Sequence, residues 1–324
     1  MKIVLIGAAG FTGRAAAARL VRRVEVGELI LVDYDIRGAK RTAKSLSPKC
    51  RWAMADAGKP AELSRLLEGV DAVASAVGPC AEYEKAVLLT CASAGVAAAT
   101  IGEGTIAAED RRGIDAAFRD AGVPAVAGCG MMPGWTELLA AHFLDTGDGS
   151  ANPPPPAPAT RYLFFSPDRF GGYAFLRGVA KGITGAAPVP AGGPAGSYFA
   201  LPDGSRVGVP GGKTGSRLGW IVGTAGKLGA VGKEFSAALL LWTRGGMSEP
   251  AGTPVAVAGV AAGDRFARVE DPHGNLAAAL LADTAVRLVS RPHKAIGVLP
   301  LPVLIGRQEA ETIATAAGAR ITRG

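Results

Sequence analysis

The 324-residue sequence predicts an α/β protein: a doubly wound parallel sheet joined to a second, α+β domain. Two observations support this prediction. Apolar runs alternate with amphipathic helix patterns from the first residues to about position 130, as in parallel strands linked by helices. The first apolar run also ends in glycines at Gly7, Gly10 and Gly13, the spacing of a strand that turns directly into a helix. The first domain is therefore predicted to be of the Rossmann type.

The alternation can be followed element by element through this first domain. Each predicted strand is apolar and is bounded by glycine, proline or charged residues. The predicted strands are 3–6, 29–32, 50–54, 72–76, 96–101 and one starting at 124–126. The predicted helices between them are 13–23, 37–45, 61–67, 84–94 and 107–121.

The pattern changes after the glycine-rich loop 128–135. The strands predicted there are shorter, at 161–165, 197–201, 206–209, 255–260 and 265–270, and the helices are 136–144, 276–288 and 307–317. The proline-rich stretch 152–158 predicts a stiff linker, and glycine and proline across 182–219 predict a long mobile loop. We expect a cofactor domain over 1–130, onto which 290–324 packs back, and a substrate and dimerisation domain over 131–289.

Composition narrows the class of protein. Hydrophobic residues make up 48% of the chain, enough for a sizeable core, yet no stretch has the roughly 20 apolar residues of a membrane helix. The four cysteines form no CxxC pair, which predicts free thiols in a reducing compartment. The three histidines lack metal-ligand spacing with them. We expect a cytoplasmic protein with no membrane segment and no metal.

The net charge of +7 has a definite location. Between positions 160 and 245, ten basic residues stand against three acidic ones. A basic second domain suits a small anionic substrate or an acidic carrier protein, and a merely solvated basic surface is an equal alternative. Nucleic acid is not expected as a partner, because the charges are spread out and separated by glycines.

The glycine turn predicts a dinucleotide site. Its backbone N–H groups and the positive helix end would face a pyrophosphate, and Phe11 and Thr12 belong to the same turn. Asp33 follows Gly13 by 20 residues, where an acidic side chain binds the ribose hydroxyls and favours NAD. The cations Arg37, Lys40 and Arg41 come next and leave NADP open. Further cofactor contacts are expected where the third and fourth strands end, at Asp56, Ala76, Gly78 and Pro79.

Several motifs taken in order resemble the saccharopine dehydrogenase-like oxidoreductases. They are GAAGFTGR at 7–14, ASAVGP at 74–79, CASAG at 91–95, TIGE at 100–103, GCGMMPG at 128–134 and the tail motifs DPHGNL, ADTA and GVLP. The resemblance implies an NAD(P)-binding domain, a substrate domain that commonly forms a homodimer, and hydride transfer involving an imine or a carbon–carbon double bond. Members often carry a tyrosine and an aspartate before the Gly-Glu, whereas this chain has VAAATI at 96–101. The role of that aspartate therefore cannot be transferred.

Because that aspartate is absent, other residues of this chain have to be considered as proton donors and substrate contacts. Those near the expected crevice that could supply a proton are Cys80, Tyr83, Glu84 and Glu103, and we favour Tyr83 and Glu103 as catalytic. Their structural alternatives are a packed aromatic ring and a surface or capping residue. Met132 and Trp135 are expected to form an apolar wall, and Arg161, Arg169 and Arg177 to clamp a carboxylate.

Three functions fit these features. The first is NAD(P)-dependent hydride transfer to or from an imine or amine carbon of a carboxylate-bearing small molecule. The second is a trans-acting enoyl reductase on a carrier-bound acyl chain, with the acidic carrier docked on the basic domain. The third is a non-catalytic nucleotide-binding protein, which the alanines at 97–99 permit.

Overall fold

The computed structural model describes residues 1–102, 106, 108–144, 159–166, 169–171, 173–210, 254–290 and 295–324. The chain divides into two compact units. One comprises Met1–Gly134 with Asn275–Gly306, and the other comprises Trp135–Gly274 with Arg307–Gly324. From the sequence we expected 276–288 to belong to the second domain and all of 290–324 to belong to the first.

The first unit is built on a seven-stranded parallel sheet. Its strands are β1 (Lys2–Ile6), β2 (Glu28–Asp33), β3 (Cys50–Met54), β4 (Ala72–Ser75), β5 (Ala97–Thr100), β6 (Pro124–Ala127) and the late strand β13 (Gly297–Val298). The order across the sheet is β3-β2-β1-β4-β5-β6-β13. The strand order therefore reverses between β1 and β4, which is the switch point at which a doubly wound sheet binds its ligand.

Helices connect and cover these strands. They are α1 (Phe11–Leu20), α2 (Ile36–Leu46), α3 (Pro60–Ser64), α4 (Cys80–Ser93), α5 (Ala108–Asp120), α8 (Leu276–Ser290) and α9 (Leu301–Leu304). Helix α8 is buried along nearly its whole length and packs on α1, β4 and β5. The strands offer mostly alanine at this contact, so the helix can approach closely. This packing explains why 276–288 lies in the first unit.

The second unit contains a mixed seven-stranded sheet. Its strands are β7 (Thr160–Phe165), β8 (Gly185–Ala187), β9 (Gly196–Ala200), β10 (Arg206–Pro210), β11 (Ala256–Ala262), β12 (Arg265–Asp271) and β14 (Arg320–Arg323), in the order β14-β12-β11-β7-β10-β9-β8. Among the described strands of this second sheet, only β7 and β10 pair in parallel. Its helices are α6 (Trp135–His142), α7 (Tyr173–Gly182) and α10 (Arg307–Ala316).

The long loop or lid predicted over 182–219 is wrong for the part that the structure describes, whereas the strands predicted there at 197–201 and 206–209 are confirmed. Up to position 210 this segment contributes the antiparallel strands β8, β9 and β10. Glycine here makes room for packing: a Cβ at Gly208 would lie 2.5 Å from the ring of Tyr198, so the glycine lets that ring lie on the sheet. Positions 211–219 lie outside the described residues.

Three general properties of the described residues bear on function. The four cysteines are buried and free. No helix in the described ranges is both long and apolar enough to cross a membrane. Within the same ranges, no three His, Cys, Asp or Glu side chains come together as metal ligands.

Candidate functional site

The glycine turn between β1 and α1 is closely packed onto the end of β4. Gly7 has a φ of +80°, and a Cβ there would lie 2.8 Å from the backbone of Ala76 and Val77. A Cβ at Gly13 would lie 1.9 Å from the carbonyl oxygen of Gly7, and one at Gly10 would lie 3.3 Å from the same oxygen. Gly7 and Gly13 thus leave no space for a side chain, and the turn sits at the switch point of the sheet.

The N-terminus of α1 fits a negatively charged group. Its N-cap is Gly10, and among the described residues no side chain caps the helix and no acidic residue lies in its first turn. Phe11 and Thr12 are the first helical residues, and both are partly buried. The Arg14 guanidinium donates a 2.7 Å hydrogen bond to the carbonyl of Ala9, which adds a positive charge beside the turn. Backbone dipoles and this charge together favour a phosphate here.

Asp33 ties the end of β2 to the glycine turn. One carboxylate oxygen accepts a 2.8 Å hydrogen bond from the Ala9 N–H, and the other accepts a 2.9 Å bond from the Asp35 N–H. These bonds orient the carboxylate beside the turn. Each oxygen has a second lone pair, so the group can still accept hydrogen bonds from ribose hydroxyls.

The three cations that follow Asp33 lie on α2 and differ in their surroundings. Lys40 lies over the Trp52 ring, 5.6 Å from its centroid, and Arg41 lies 3.8 Å from the carboxylate of Asp35. Arg37 is exposed at the start of the helix, one residue before the Gly38 N–H that Asp35 caps. Of the three cations, Arg37 is thus the nearest to Asp33 in the chain, and its side chain is exposed.

Asp56 and Tyr83 both lie beside the loop that follows β3. Asp56 accepts a 2.9 Å hydrogen bond from the Gly58 N–H, and its carboxylate lies 3.8 Å from the Lys59 ammonium. The Tyr83 ring packs against the hydrophobic core, and a Cβ at Gly58 would lie 3.4 Å from it. The structure thus places Tyr83 as a packed aromatic ring next to Asp56.

The predicted contacts after β4 adjoin the glycine turn. The Ala76 N–H donates to the carbonyl of Ile6 at the end of β1, so the two strand ends lie side by side. The Gly78–Pro79 peptide bond is cis, and Pro79 is the N-cap of α4. Ala76, Gly78 and Pro79 therefore belong to the same edge of the sheet as Gly7.

A buried polar cluster lies at the next strand end. The Thr100 hydroxyl, at the end of β5, donates a very short hydrogen bond to Oε1 of Glu84 on α4, and both residues are buried. Burial raises the pKa of the Glu84 carboxyl, against the opposing effects of the Thr100 hydrogen bond and the Arg111 charge. Burial also raises the pKa of the neighbouring Cys129 thiol to about 12. Cys129 therefore stays protonated at neutral pH.

The remaining predicted residues are Glu103, Met132, Trp135, Arg161 and Arg169. Glu103 lies outside the described residues. Met132 is partly buried, and Trp135 at the start of α6 is fully buried. In the second unit, Arg161 forms a 3.1 Å ion pair with Glu137, and Arg169 donates to the carbonyl of Pro272 at 3.4 Å.

Comparison with known proteins agrees with this geometry. Residues 3–126 match the family model described as the saccharopine dehydrogenase NADP binding domain. Among solved structures, apo saccharopine dehydrogenase (L-Glu forming) from Saccharomyces cerevisiae is similar with a TM-score of 0.57 at 10% identity, over 100% of this chain and 99% of that one. At this identity the similarity shows the fold, and it confirms the predicted fold class.

Two further solved structures are more distant. GenD2 from gentamicin A biosynthesis, in complex with NAD, has a TM-score of 0.48 at 14% identity over 100% of this chain and 96% of that one. DesIV, a dTDP-glucose 4,6-dehydratase from Streptomyces venezuelae, has a TM-score of 0.30 at 18% identity over 39% of this chain and 55% of that one.

Proposed function

We propose that this chain, whose residues 3–126 match the saccharopine dehydrogenase NADP binding domain, is an NAD(P)-dependent oxidoreductase of the saccharopine dehydrogenase-like type. The proposed reaction is hydride transfer to or from an imine or amine carbon of a carboxylate-bearing small molecule. The nicotinamide would supply or accept the hydride, and the protein would bind and orient the two reactants.

One observation carries the proposal. The positive end of α1, capped by Gly10 and not by a side chain of the described residues, follows directly on a glycine turn that packs against the end of β4 at the switch point of a parallel sheet. Backbone N–H groups aimed at this place suit a pyrophosphate, and Asp33 beside them suits the adjoining ribose. The same edge continues along β4 and β5 toward the nicotinamide half of a dinucleotide.

The cofactor is proposed to be NAD or NADP. Asp33 supports NAD, because its carboxylate can accept bonds from both ribose hydroxyls and would repel a phosphate there. The exposed guanidinium of Arg37 supports NADP, because it could pair with that phosphate. Asp33 and Arg37 thus favour different cofactors, so substituting each in turn should show which of NAD and NADP the protein prefers.

The substrate is proposed to be a small anion. The chain carries a net charge of +7, and Arg161 and Arg169 both belong to the second unit. Arg161 is about half exposed and is paired with Glu137, so a substrate carboxylate would compete with that partner. Substitution of Arg161 by glutamine should raise KM for a carboxylate substrate with little change in cofactor affinity. Arg265→Gln, an exposed arginine at the start of β12, is the control.

Fluorescence titration with NADH and with NADPH tests the proposal directly. Binding of at least one reduced cofactor is expected, and binding of neither would refute the proposal. Purified protein would then be assayed against amines and keto acids, and against enoyl chains on an acyl carrier protein. Turnover with the carrier substrate alone would favour the enoyl reductase. Binding with no turnover in either set would favour a non-catalytic protein, consistent with the buried alanines at 97–99.

A further inference from the structure

Two acidic side chains among the described residues of the first unit are buried, and their surroundings differ. Asp283 on α8 accepts hydrogen bonds of 3.0 Å from both Arg19 and Arg23, so two positive charges balance its carboxylate. Glu84 is 3% exposed, and within the described ranges it forms no ion pair. Its hydrogen-bond partner is the neutral hydroxyl of Thr100. Burying an ionised carboxylate without a balancing charge is costly, so this site favours the neutral acid.

The Glu84 carboxyl is packed against the backbone that leaves β5. A Cβ at Gly102, where φ is +54°, would lie 3.0 Å from Oε1 of Glu84 and 2.7 Å from the Gly128 nitrogen. The Thr100 carbonyl in turn accepts hydrogen bonds from the N–H groups of Gly128 and Cys129, at 3.0 and 2.8 Å. We call Thr100–Gly102 the β5 turn. Glu84 thus links α4 to the end of β5, whose Thr100 carbonyl is in turn hydrogen-bonded to the loop after β6.

The contact between Glu84 and the β5 turn lies at the edge of the sheet where a dinucleotide would bind. The glycine turn lies on the end of β4, and β5 is the next strand outward from the switch point. In a doubly wound sheet this half of the edge is where the second mononucleotide of a dinucleotide lies. The strand itself offers no acid there, because 97–99 are alanines. The acid instead comes from α4, with its carboxyl at the β5 turn.

We propose that Glu84 is a positioning residue of the dinucleotide site: a neutral carboxylic acid that fixes the β5 turn beneath the nicotinamide half and releases it on ionisation. This inference rests on the proposed cofactor binding. The neutral acid accepts the Thr100 hydrogen bond and packs against Gly102. The ionised form needs water or a cation, and either would disturb that packing.

The groups around Glu84 determine the direction of its titration. Thr100 faces it from β5, the Cys129 thiol from the loop after β6, and the Arg111 guanidinium acts on it from α5. The thiol stays neutral, and Arg111 and Thr100 favour the ionised carboxylate. Burial outweighs both, so the pKa of Glu84 is raised above its ordinary value.

Titration of the cofactor-free protein tests the first half of the inference. With 13C-labelled glutamate side chains, the signal that disappears in Glu84→Gln reports the protonation of this carboxyl. It is expected to titrate above the ordinary value of about 4.3, with matching changes in amide exchange over the β5 turn. Glu82→Gln, an exposed position on the same helix, is the control and should leave that signal and the exchange unchanged. An ordinary Glu84 titration, or a β5 turn insensitive to it, would overturn the inference.

Cofactor affinity tests the second half. NADH and NADPH are titrated by fluorescence from pH 5 to 9 against the wild type, Glu84→Gln and Glu82→Gln. The wild type and the Glu82 variant should lose about tenfold in affinity as Glu84 ionises, whereas the neutral glutamine should keep affinity constant. Parallel losses in all three proteins would overturn the positioning role. If the wild type binds neither cofactor at any pH, the proposed function fails, and with it this half of the inference, while the carboxyl titration still decides the first half.

Discussion

Replacement of Gly13 by alanine should disable the dinucleotide site through a steric clash of known size. The new Cβ would lie 1.9 Å from the carbonyl oxygen of Gly7 and 2.7 Å from its carbon, and both are backbone atoms. Reaching a tolerable 3.0 Å separation requires a shift of 1.1 Å between the start of α1 and the turn. Overpacking of this kind costs about 1–3 kcal/mol, and the better helix propensity of alanine returns up to about 1 kcal/mol. We expect a net loss of about 1–2 kcal/mol in the free energy of unfolding.

The same shift should weaken cofactor binding. Displacing phosphate-binding N–H groups by about 1 Å can cost up to about 100-fold, so NAD(P)H affinity should fall by about 10–100-fold. Urea unfolding and fluorescence titration measure the two effects. Gly113→Ala is the matched control, because a Cβ at this exposed position in α5 meets nothing within 4 Å. It should gain about 0.5–1 kcal/mol and bind cofactor normally. A Gly13 variant that behaves like this control would refute the reasoning.

Three further predictions concern charges in the first unit. Asp283→Asn should lower the free energy of unfolding by about 1–2 kcal/mol in urea, because Arg19 and Arg23 lose their partner but remain partly hydrated; an unchanged midpoint would contradict this. Asp33→Ala should weaken NADH binding more than NADPH binding, and Arg37→Ala the reverse; equal losses in both titrations would remove these residues from ribose recognition. Because the pKa of Glu84 is raised in the folded state, the folded protein keeps the Glu84 proton at pH values where the unfolded chain has lost it. The free energy of unfolding should therefore fall as the pH rises from about 4.3 to that raised pKa, by up to about 1.4 kcal/mol per pH unit. Glu84→Gln should lack this slope in thermal or urea unfolding between pH 4 and 8.

Apolar runs were enough to predict the first six strands of the first unit, including β3, which lies at the edge of the sheet and is mostly exposed. β3 was predicted at its observed bounds, Cys50–Met54, and β1 and β2 within one or two residues. The strands β8, β13 and β14 were missed. β13 is only Gly297–Val298, and its pairing is to Pro124 and Ala125, far away in the chain. A strand of this length has no period to detect, because its stability comes from the partner edge and not from its own side chains.

The glycine turn could also be predicted from the sequence, since the spacing of its three glycines within one short segment is itself the signal. Gly7, Gly10 and Gly13 clash or nearly clash only with atoms of their own turn and of the end of β4. The Glu84–Thr100 hydrogen bond is different. It joins a helix to a strand end 16 residues away, and no spacing rule connects the two types of residue.

The phase of α4 separates the neighbouring candidates Tyr83 and Glu84. The helix was predicted to begin at 84, whereas it begins at Cys80, directly after Pro79. Glu84 is therefore more than one turn into the helix. Successive helical side chains point about 100° apart, so neighbours on this turn face different elements. Tyr83 faces the loop after β3, and Glu84 faces β5. The contact of Glu84 with β5 thus depends on where α4 begins, which is directly after Pro79.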